Sequence, residues 1–84
     1  MTKIIDVCIP DFVADNKTEQ KITVMFWFKQ EGQMVMEGEE IVEIQTDKAV
    51  LDIESPATGK LKKILANAGS EITSGQKIGE IEIL

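Results

Sequence analysis

Histidine is absent from this 84-residue chain, and cysteine occurs once, as Cys8. Without histidine, no Ser–His or Cys–His catalytic pair and no imidazole metal ligand can form. A lone cysteine cannot close a disulfide within the chain, and its place in "IIDVCI" predicts a small buried residue on a strand. A chain this short also has little room for the cleft that carboxylate acid–base catalysis needs. The sequence therefore predicts neither independent catalysis nor a metal site.

Long apolar runs and an excess of basic residues are also absent. The longest apolar run, "VMFWF", is far short of a membrane span, and "MTKIIDVCIP" carries Lys3 and Asp6 where a signal peptide needs an unbroken apolar block. The net charge is −6 and the lysines are scattered, so phosphate backbones and anionic lipid would be repelled. We expect an intracellular protein, in the cytoplasm, with neither nucleic acid nor membrane as a partner.

What is present is the composition of a folded β-domain. Apolar residues make up 43% of the chain and charged residues 29%, the balance of a globular domain rather than a disordered tail. Short runs rich in Ile and Val alternate with Gly and polar clusters, as in an all-β sandwich or barrel. In "KIIDVCI", Ile5, Val7 and Ile9 share one face, whereas "KITVMFWFK" is apolar on both faces, as in a strand covered on two sides. We predict one all-β domain over residues 1–84, monomeric in isolation.

An internal repeat decides the one segment with an ambiguous pattern. In "GKLKKILANAGS", apolar residues fall at i, i+3, i+4 and i+7 from Leu61, which is helical spacing. Shifting the chain by 37 residues, however, lays "FKQEGQMVMEGEEIVEI" over "LANAGSEITSGQKIGEI". The first of these two segments directly follows a run of β-branched and aromatic residues in the chain, and such residues favour a strand. We therefore predict a strand over residues 60–65.

Each repeat contains two glycines six residues apart with an apolar residue midway between them. The pairs, Gly32 with Gly38 and Gly69 with Gly75, are typical of tight turns that need positive φ, with the apolar residue directed into the core. A phosphate-binding loop would instead need closely spaced glycines that open a helix. The glycine pairs are therefore interpreted as backbone features.

One lysine, Lys48, lies between two alternating runs, "IVEIQ" and "VLDIE". Two antiparallel strands need a short connection, and "TDKA" supplies one in which Thr46 and Asp47 can hydrogen-bond neighbouring backbone groups. We predict a hairpin with Lys48 pointing into solvent at its tip. Spacing alone leaves two interpretations open: a functional lysine, or one of the many exposed turn lysines that only keep a strand edge soluble.

The sequence around this lysine resembles a lipoyl domain of the kind carried by 2-oxo acid dehydrogenase complexes. The likeness covers residues 21–83 and extends over "EGQMVMEGEEI", "EIQTDKAVLDIESPATGKL" and "AGSEITSGQKIGEI". The resemblance implies a flattened β-sandwich of two small antiparallel sheets with a pseudo-twofold repeat, the barrel-sandwich hybrid of lipoyl and biotinyl carriers. Its most specific elements are the Thr46-Asp47-Lys48-Ala49 turn, Ser55-Pro56 with Gly59, and both glycine pairs.

The resemblance also implies a role for the turn. Lys48 would carry lipoate in amide linkage, and Thr46, Asp47 and Ala49 would form the turn that a lipoylating enzyme recognises. The arm would serve a thiamine-dependent 2-oxo acid decarboxylase, an acyltransferase core and a dihydrolipoamide dehydrogenase. The chain itself would be a non-catalytic carrier within a dihydrolipoamide acyltransferase component. Nearby acidic residues would direct the arm toward basic partner surfaces; they are Glu43, Asp47, Asp52 and Glu54.

The chain departs from the family pattern at four positions. Val13 and Ile22 stand where the family usually has glycine-containing sequences, Lys29 takes a place that is usually apolar, and Gln45 replaces a common Glu. In the family, the loop equivalent to residues 11–20 lies beside the lipoyl lysine and helps to choose the decarboxylase. Partner choice is therefore the part of the resemblance that these residues support least.

Three alternatives share some of these features. A biotin carrier has the same fold, but its lysine usually lies between two methionines, whereas here the neighbours are Asp47 and Ala49. A glycine cleavage carrier also bears lipoate but is typically longer, with added helices. An unmodified structural or interaction sandwich would keep the repeat without needing the Thr-Asp-Lys-Ala turn.

Overall fold

The computed structural model describes residues 2–10, 21–46 and 49–83, and the regular structure in these ranges is all β-strand. The strands, in chain order, are β1 Lys3–Cys8, β2 Ile22–Trp27, β3 Met34–Val35, β4 Glu40–Gln45, β5 Val50–Glu54, β6 Gly59–Ile64, β7 Glu71–Ile72 and β8 Lys77–Ile83.

The strands form two four-stranded antiparallel sheets that pack as a flattened sandwich. Sheet I has the order β1-β8-β6-β3, and sheet II has the order β5-β4-β2-β7. The shift of 37 residues maps β2, β3 and β4 onto β6, β7 and β8, so the two sheets contain equivalent strands in the same order. This correspondence is what pseudo-twofold symmetry requires. The predicted all-β sandwich with an internal repeat is therefore confirmed.

The core lies between the two sheets and consists of aliphatic side chains. Burying each Val, Leu or Ile side chain contributes about 1.5–3 kcal/mol relative to leaving it in water. Val7 and Ile9 are buried, as the alternation in "KIIDVCI" predicts. Three of the apolar pairs that the repeat makes equivalent are buried: Val35 with Ile72, Ile41 with Ile78, and Ile44 with Ile81.

The segment with helical spacing is a strand, as the repeat predicts. β6 covers Gly59–Ile64 and is hydrogen-bonded to β8 on one side and to β3 on the other. Leu61 is fully buried in this arrangement, whereas Leu65, which a helix would have placed on the same face, is 48% exposed. Pairing with two neighbouring strands therefore outweighs the local periodicity.

Four tight turns separate the short strands from their neighbours. In each, the first residue's carbonyl accepts a hydrogen bond from the fourth residue's N–H, with distances of 2.9–3.1 Å, and the third residue is a glycine at positive φ. Positive φ at that place is the requirement of a type II turn. The turns span residues 30–33, 36–39, 67–70 and 73–76.

Replacing Gly38 or Gly75 by valine should lower the free energy of unfolding by about 1–3 kcal/mol, because a β-branched residue is penalised at positive φ. The φ angles are 87° and 80°, and a β-carbon at either position would meet no other atom within 4 Å, so the cost is conformational rather than steric. Chemical denaturation measures this change in the free energy of unfolding. Gly38→Asn, which tolerates positive φ better, should cost less. Equal stability of the valine variants and the parent would contradict this account.

Two predictions about burial are wrong. Cys8 is exposed, because it lies at the end of β1 between two buried residues, Val7 and Ile9, and its side chain points to the opposite face. The strand in "KITVMFWFK" is not covered on both sides, since Met25, Phe26 and Phe28 are 38%, 45% and 42% exposed. A bulge between Val24 and Phe26 changes the alternation there.

Lys29, which takes a place that is usually apolar in the family, forms an ion pair across the neighbouring turn. Its Nζ lies 3.0 Å from Oε2 of Glu39, while Oε1 of the same carboxylate accepts a 3.0 Å hydrogen bond from the backbone N–H of Met36. The backbone hydrogen bond, with the Lys29 ammonium second, holds the pKa of the Glu39 carboxyl below its usual value. In the equivalent turn, Gln76 accepts the same bond from Thr73 with an uncharged amide.

Glu39→Gln should reduce the stability that the chain loses as the pH falls into the acid range. Because the pKa of Glu39 is lower in the folded chain, its contribution is present above the ordinary glutamate pKa of 4.5 and is lost as the pH falls through the folded value. Glutamine keeps the turn hydrogen bond, as Gln76 does, and removes the titration. Thermal midpoints from about pH 7 to about pH 3 should therefore fall less in the variant than in the parent. Glu37→Gln is the control, and an unchanged pH dependence in Glu39→Gln would contradict the assignment.

Candidate functional site

The predicted hairpin is formed by β4 and β5 of sheet II. The two strands pair antiparallel, with Gln45 opposite Val50 and Ile44 opposite Leu51. Ile44 is fully buried and Leu51 packs against the core, so the inward side of the hairpin is anchored by apolar contacts. The hairpin therefore projects from a rigid part of the sandwich.

Thr46 and Ala49 close the end of this hairpin. The Thr46 N–H donates to the Ala49 carbonyl at 2.8 Å, and the Ala49 N–H donates to the Thr46 hydroxyl at 3.0 Å. That hydroxyl also lies 3.3 Å from the Ala49 carbonyl oxygen, to which it can donate, and Thr46 is buried. The predicted hydrogen bonding of Thr46 is thus confirmed. Threonine supplies a donor and an acceptor where the strands separate, which alanine or valine would lack.

Asp47 and Lys48 lie outside the described residues, as do residues 11–20, which include Val13. The predicted solvent-facing position of Lys48 and the predicted hydrogen bonds of Asp47 remain predictions. What the structure defines is the frame on either side: a buried Thr46 and an exposed Ala49 joined by backbone hydrogen bonds.

The Ser55-Pro56 segment holds the far end of β5 against the turn before β4. The Ser55 N–H donates to the Glu39 carbonyl at 2.8 Å, and the Gly38 N–H donates to the Ser55 carbonyl at 2.9 Å. The buried Ser55 hydroxyl donates to the Ala57 carbonyl at 2.6 Å. These bonds satisfy polar groups that would otherwise be buried without partners, so Ser55 has a structural function.

Two other departures from the family pattern, Ile22 and Gln45, lie on described strands. Ile22 is fully buried at the start of β2 and pairs with Ile72 of β7, so it adds to the core. Gln45 is exposed at the end of β4, opposite Thr23 and Val50. Neither change disturbs the hairpin that carries the Thr-Asp-Lys-Ala sequence.

Two other features are absent from the described ranges. In residues 2–10, 21–46 and 49–83, no three acidic or cysteine side chains are grouped so as to hold a metal ion. Within the same ranges, no helix has the length and apolar character to cross a membrane. The β4–β5 hairpin is therefore the candidate site with the most support from both sequence and geometry.

The chain belongs to the biotin and lipoyl attachment family, whose model, described as "Biotin-requiring enzyme", matches residues 9–81. Among its relatives are the dihydrolipoyllysine-residue succinyltransferase components of the 2-oxoglutarate dehydrogenase complexes of Buchnera aphidicola and Escherichia coli K12. Each is 38% identical, over 93% and 92% of this chain respectively. The chain spans only 18% of the length of each of these relatives.

A solved lipoyl domain has the same fold. The solution structure of the lipoyl domain of the 2-oxoglutarate dehydrogenase complex from Azotobacter vinelandii superimposes with a TM-score of 0.68 and is 31% identical, covering 89% of this chain and 94% of that one. Lipoyl domains of this family carry lipoate covalently on a lysine. The comparisons therefore support a lipoyl carrier role for this chain over a biotin carrier role, and they match it to a carrier rather than to a catalytic portion of an acyltransferase.

Proposed function

We propose that Lys48 is the attachment site, and that the chain carries lipoate on it for a 2-oxoglutarate dehydrogenase complex. The observation that carries this proposal is the closed Thr46–Ala49 frame at the end of the β4–β5 hairpin, with Lys48 the lysine that the sequence places inside it. In the sequence, Lys48 lies between β4 and β5, the paired strands that end in this frame.

The proposed modification needs little from the protein. An amide bond forms between Nζ of Lys48 and the lipoyl carboxyl carbon, and the activating group of the acyl donor leaves. A lysine suits this reaction because its primary amine sits on a flexible four-carbon stem. When bound, lipoate would supply a disulfide that accepts an acyl group and two electrons.

The chain's own contribution is to present the arm. The bonds between Thr46 and Ala49 and the buried Ile44 beneath them fix the point from which the arm extends. A covalent tether also gives the attached group a high effective concentration at every active site within its reach. A rigid origin and a flexible arm together suit a carrier that visits several enzymes.

The partners of this chain are inferred from the complex to which its relatives belong. These relatives are named as succinyltransferase components of a 2-oxoglutarate dehydrogenase complex. For this chain we propose the corresponding set: a thiamine-dependent decarboxylase, an acyltransferase core, a dihydrolipoamide dehydrogenase and a lipoylating enzyme. We propose that it acts in the cytoplasm, or in the mitochondrial matrix of a eukaryotic cell.

Intact-mass measurement tests the proposed modification. The chain is expressed with a lipoylating enzyme and lipoate, and proteolytic peptides locate the added group. We expect one lipoyl group per chain, on Lys48. An unmodified chain, or a lipoyl group on another lysine, would overturn the proposal.

Replacing both Asp47 and Ala49 by methionine should shift the modification from lipoate toward biotin, because by family resemblance the flanking residues select the ligase. We expect slower lipoylation and measurable biotin incorporation in the presence of a biotin ligase, read by intact mass. The parent chain, treated identically, is the control. Unchanged lipoylation with no biotin would show that these neighbours do not select the cofactor.

A further inference from the structure

Charge is distributed unequally between the two sheets. Within their described bounds, the strands of sheet II contain no basic residue, whereas those of sheet I contain both signs. The acidic residues of the sheet II strands are Glu40, Glu43, Asp52, Glu54 and Glu71. The charged residues of the sheet I strands are Lys3, Asp6, Lys60, Lys62, Lys63, Lys77, Glu80 and Glu82. The negative charge of the described strands is therefore concentrated on the sheet that contains the β4–β5 hairpin.

Two lysines of sheet I lie beside carboxylates of the same sheet. Lys60 lies directly opposite Glu82 on the neighbouring strand. Lys77 Nζ lies 3.0 Å from Oδ1 of Asp6 and 2.8 Å from Oε2 of Glu80, and these two hydrogen bonds raise the pKa of the lysine. Opposite charges on adjacent strands stabilise a sheet.

Sheet II places like charges opposite one another. Glu43 is the cross-strand partner of Asp52, and Glu40 is the partner of Glu54. Like charges in this position destabilise a sheet. Among the described residues, none of these four carboxylates forms an ion pair, and the lysines that flank β2 are paired elsewhere, Lys21 with Glu71 and Lys29 with Glu39. The arrangement suits a face on which the counter-charges of these four carboxylates come from another molecule.

An exposed aromatic pair lies among these carboxylates. Phe26 is directly opposite Glu43, so the two side chains share the outer face of sheet II. The rings of Phe26 and Phe28 meet edge to face, with centroids 4.8 Å apart, and are 45% and 42% exposed. Exposed aromatic anchors surrounded by polar residues are the composition of an interface centre.

We propose that this outer face, defined by Phe26, Phe28, Glu43, Asp52 and Glu54, docks a protein surface with an apolar pocket bordered by lysine or arginine side chains. The inference rests on the proposed function, under which that surface belongs to the thiamine-dependent decarboxylase. A second copy of this chain does not fit, because it would bring two acidic faces together. Because Lys48 lies in sequence between β4 and β5 of the same sheet, docking here places the origin of the arm beside the partner.

The aromatic pair is tested with Phe26→Thr/Phe28→Thr, and the matched control is Ile4→Thr/Met34→Thr, which removes two exposed apolar residues from sheet I. The isotope-labelled, unmodified chain is titrated with the purified decarboxylase and followed by NMR. We expect shifts centred on the outer face of sheet II, about tenfold weaker binding for the phenylalanine variant and unchanged binding for the control. Equal binding by both variants, or shifts centred on sheet I, would overturn the proposal.

The carboxylates are tested with a second matched pair that changes the net charge equally. Asp52→Lys converts a like-charged pair with Glu43 into an ion pair, so it should raise the thermal midpoint while weakening binding severalfold. Glu82→Lys breaks the favourable pair with Lys60, so it should lower the midpoint and leave binding unchanged. Equal loss of binding in both would mean that net charge alone is recognised, and this would overturn the assignment to sheet II.

Two further readouts separate this proposal from the attachment site. Intact mass after lipoylation is measured for every variant, and a failure to modify Lys48 counts against the proposed function, not against docking, since docking is measured on the unmodified chain. Sedimentation of the chain alone should show a monomer. A dimer that Phe26→Thr/Phe28→Thr dissociates would make a second copy the occupant and overturn the proposal.

Discussion

Lys48→Arg is expected to abolish lipoylation completely. Arginine keeps the positive charge and a long side chain, but its guanidinium is not the primary amine that an activated acyl group modifies. Intact mass after co-expression with the lipoylating enzyme should show no added group. The free energy of unfolding should change by no more than about 0.5 kcal/mol, as for surface substitutions away from special features. Lys62→Arg, at an exposed position of β6, is the control and should be modified fully.

Position, and not only the amine, should decide this modification. In the double variant Asp47→Lys/Lys48→Asp the net charge is unchanged and the lysine moves by one residue. Because side-chain direction changes sharply from one residue to the next in a strand or tight turn, the moved amine should be presented differently to the enzyme. We expect lipoylation to be lost. Modification at the parent rate would show that the hairpin frame is not what the enzyme recognises.

Gly59→Ala should be the most destabilising of the small substitutions, at about 3 kcal/mol, the upper end of the usual cost of overpacking. A β-carbon at this position would overlap the backbone carbonyl oxygen of Glu82 and lie 3.1 Å from Cγ2 of Ile81. Both belong to β8, the strand paired with β6, and backbone cannot move aside as a flexible side chain can. The two central strands of sheet I would have to separate. Chemical denaturation measures the loss.

The control for this substitution is Gly38→Ala. A β-carbon at Gly38 meets no atom within 4 Å, so the change costs only the conformational penalty of positive φ, about 1–2 kcal/mol. A larger loss at Gly59 than at Gly38 separates steric overlap from backbone strain. If the two alanine variants were equally stable, the close approach of β6 and β8 would not be the reason for glycine at position 59.

Part of the hairpin site was predictable because its signals are local. The hydroxyl of Thr46 predicts hydrogen bonds to neighbouring backbone groups in a turn, and the structure contains them. The position of the amine in Lys48 stays a prediction, since it lies outside the described residues. Phe26 and Phe28 were not assigned to any site, because an apolar run is also the pattern of a strand covered on both faces.

By itself, the sequence determined the repeat, the alternation around Val7 and the need for positive φ at each glycine pair. Each of these depends on a residue and its near neighbours, or on a comparison of the chain with itself. Only the tertiary structure decided that Glu43 lies opposite Asp52, that Lys60 lies opposite Glu82, and that Gly59 touches β8. Alternation with a period of two shows which residues share a face, but strand order and register decide which charges meet across it.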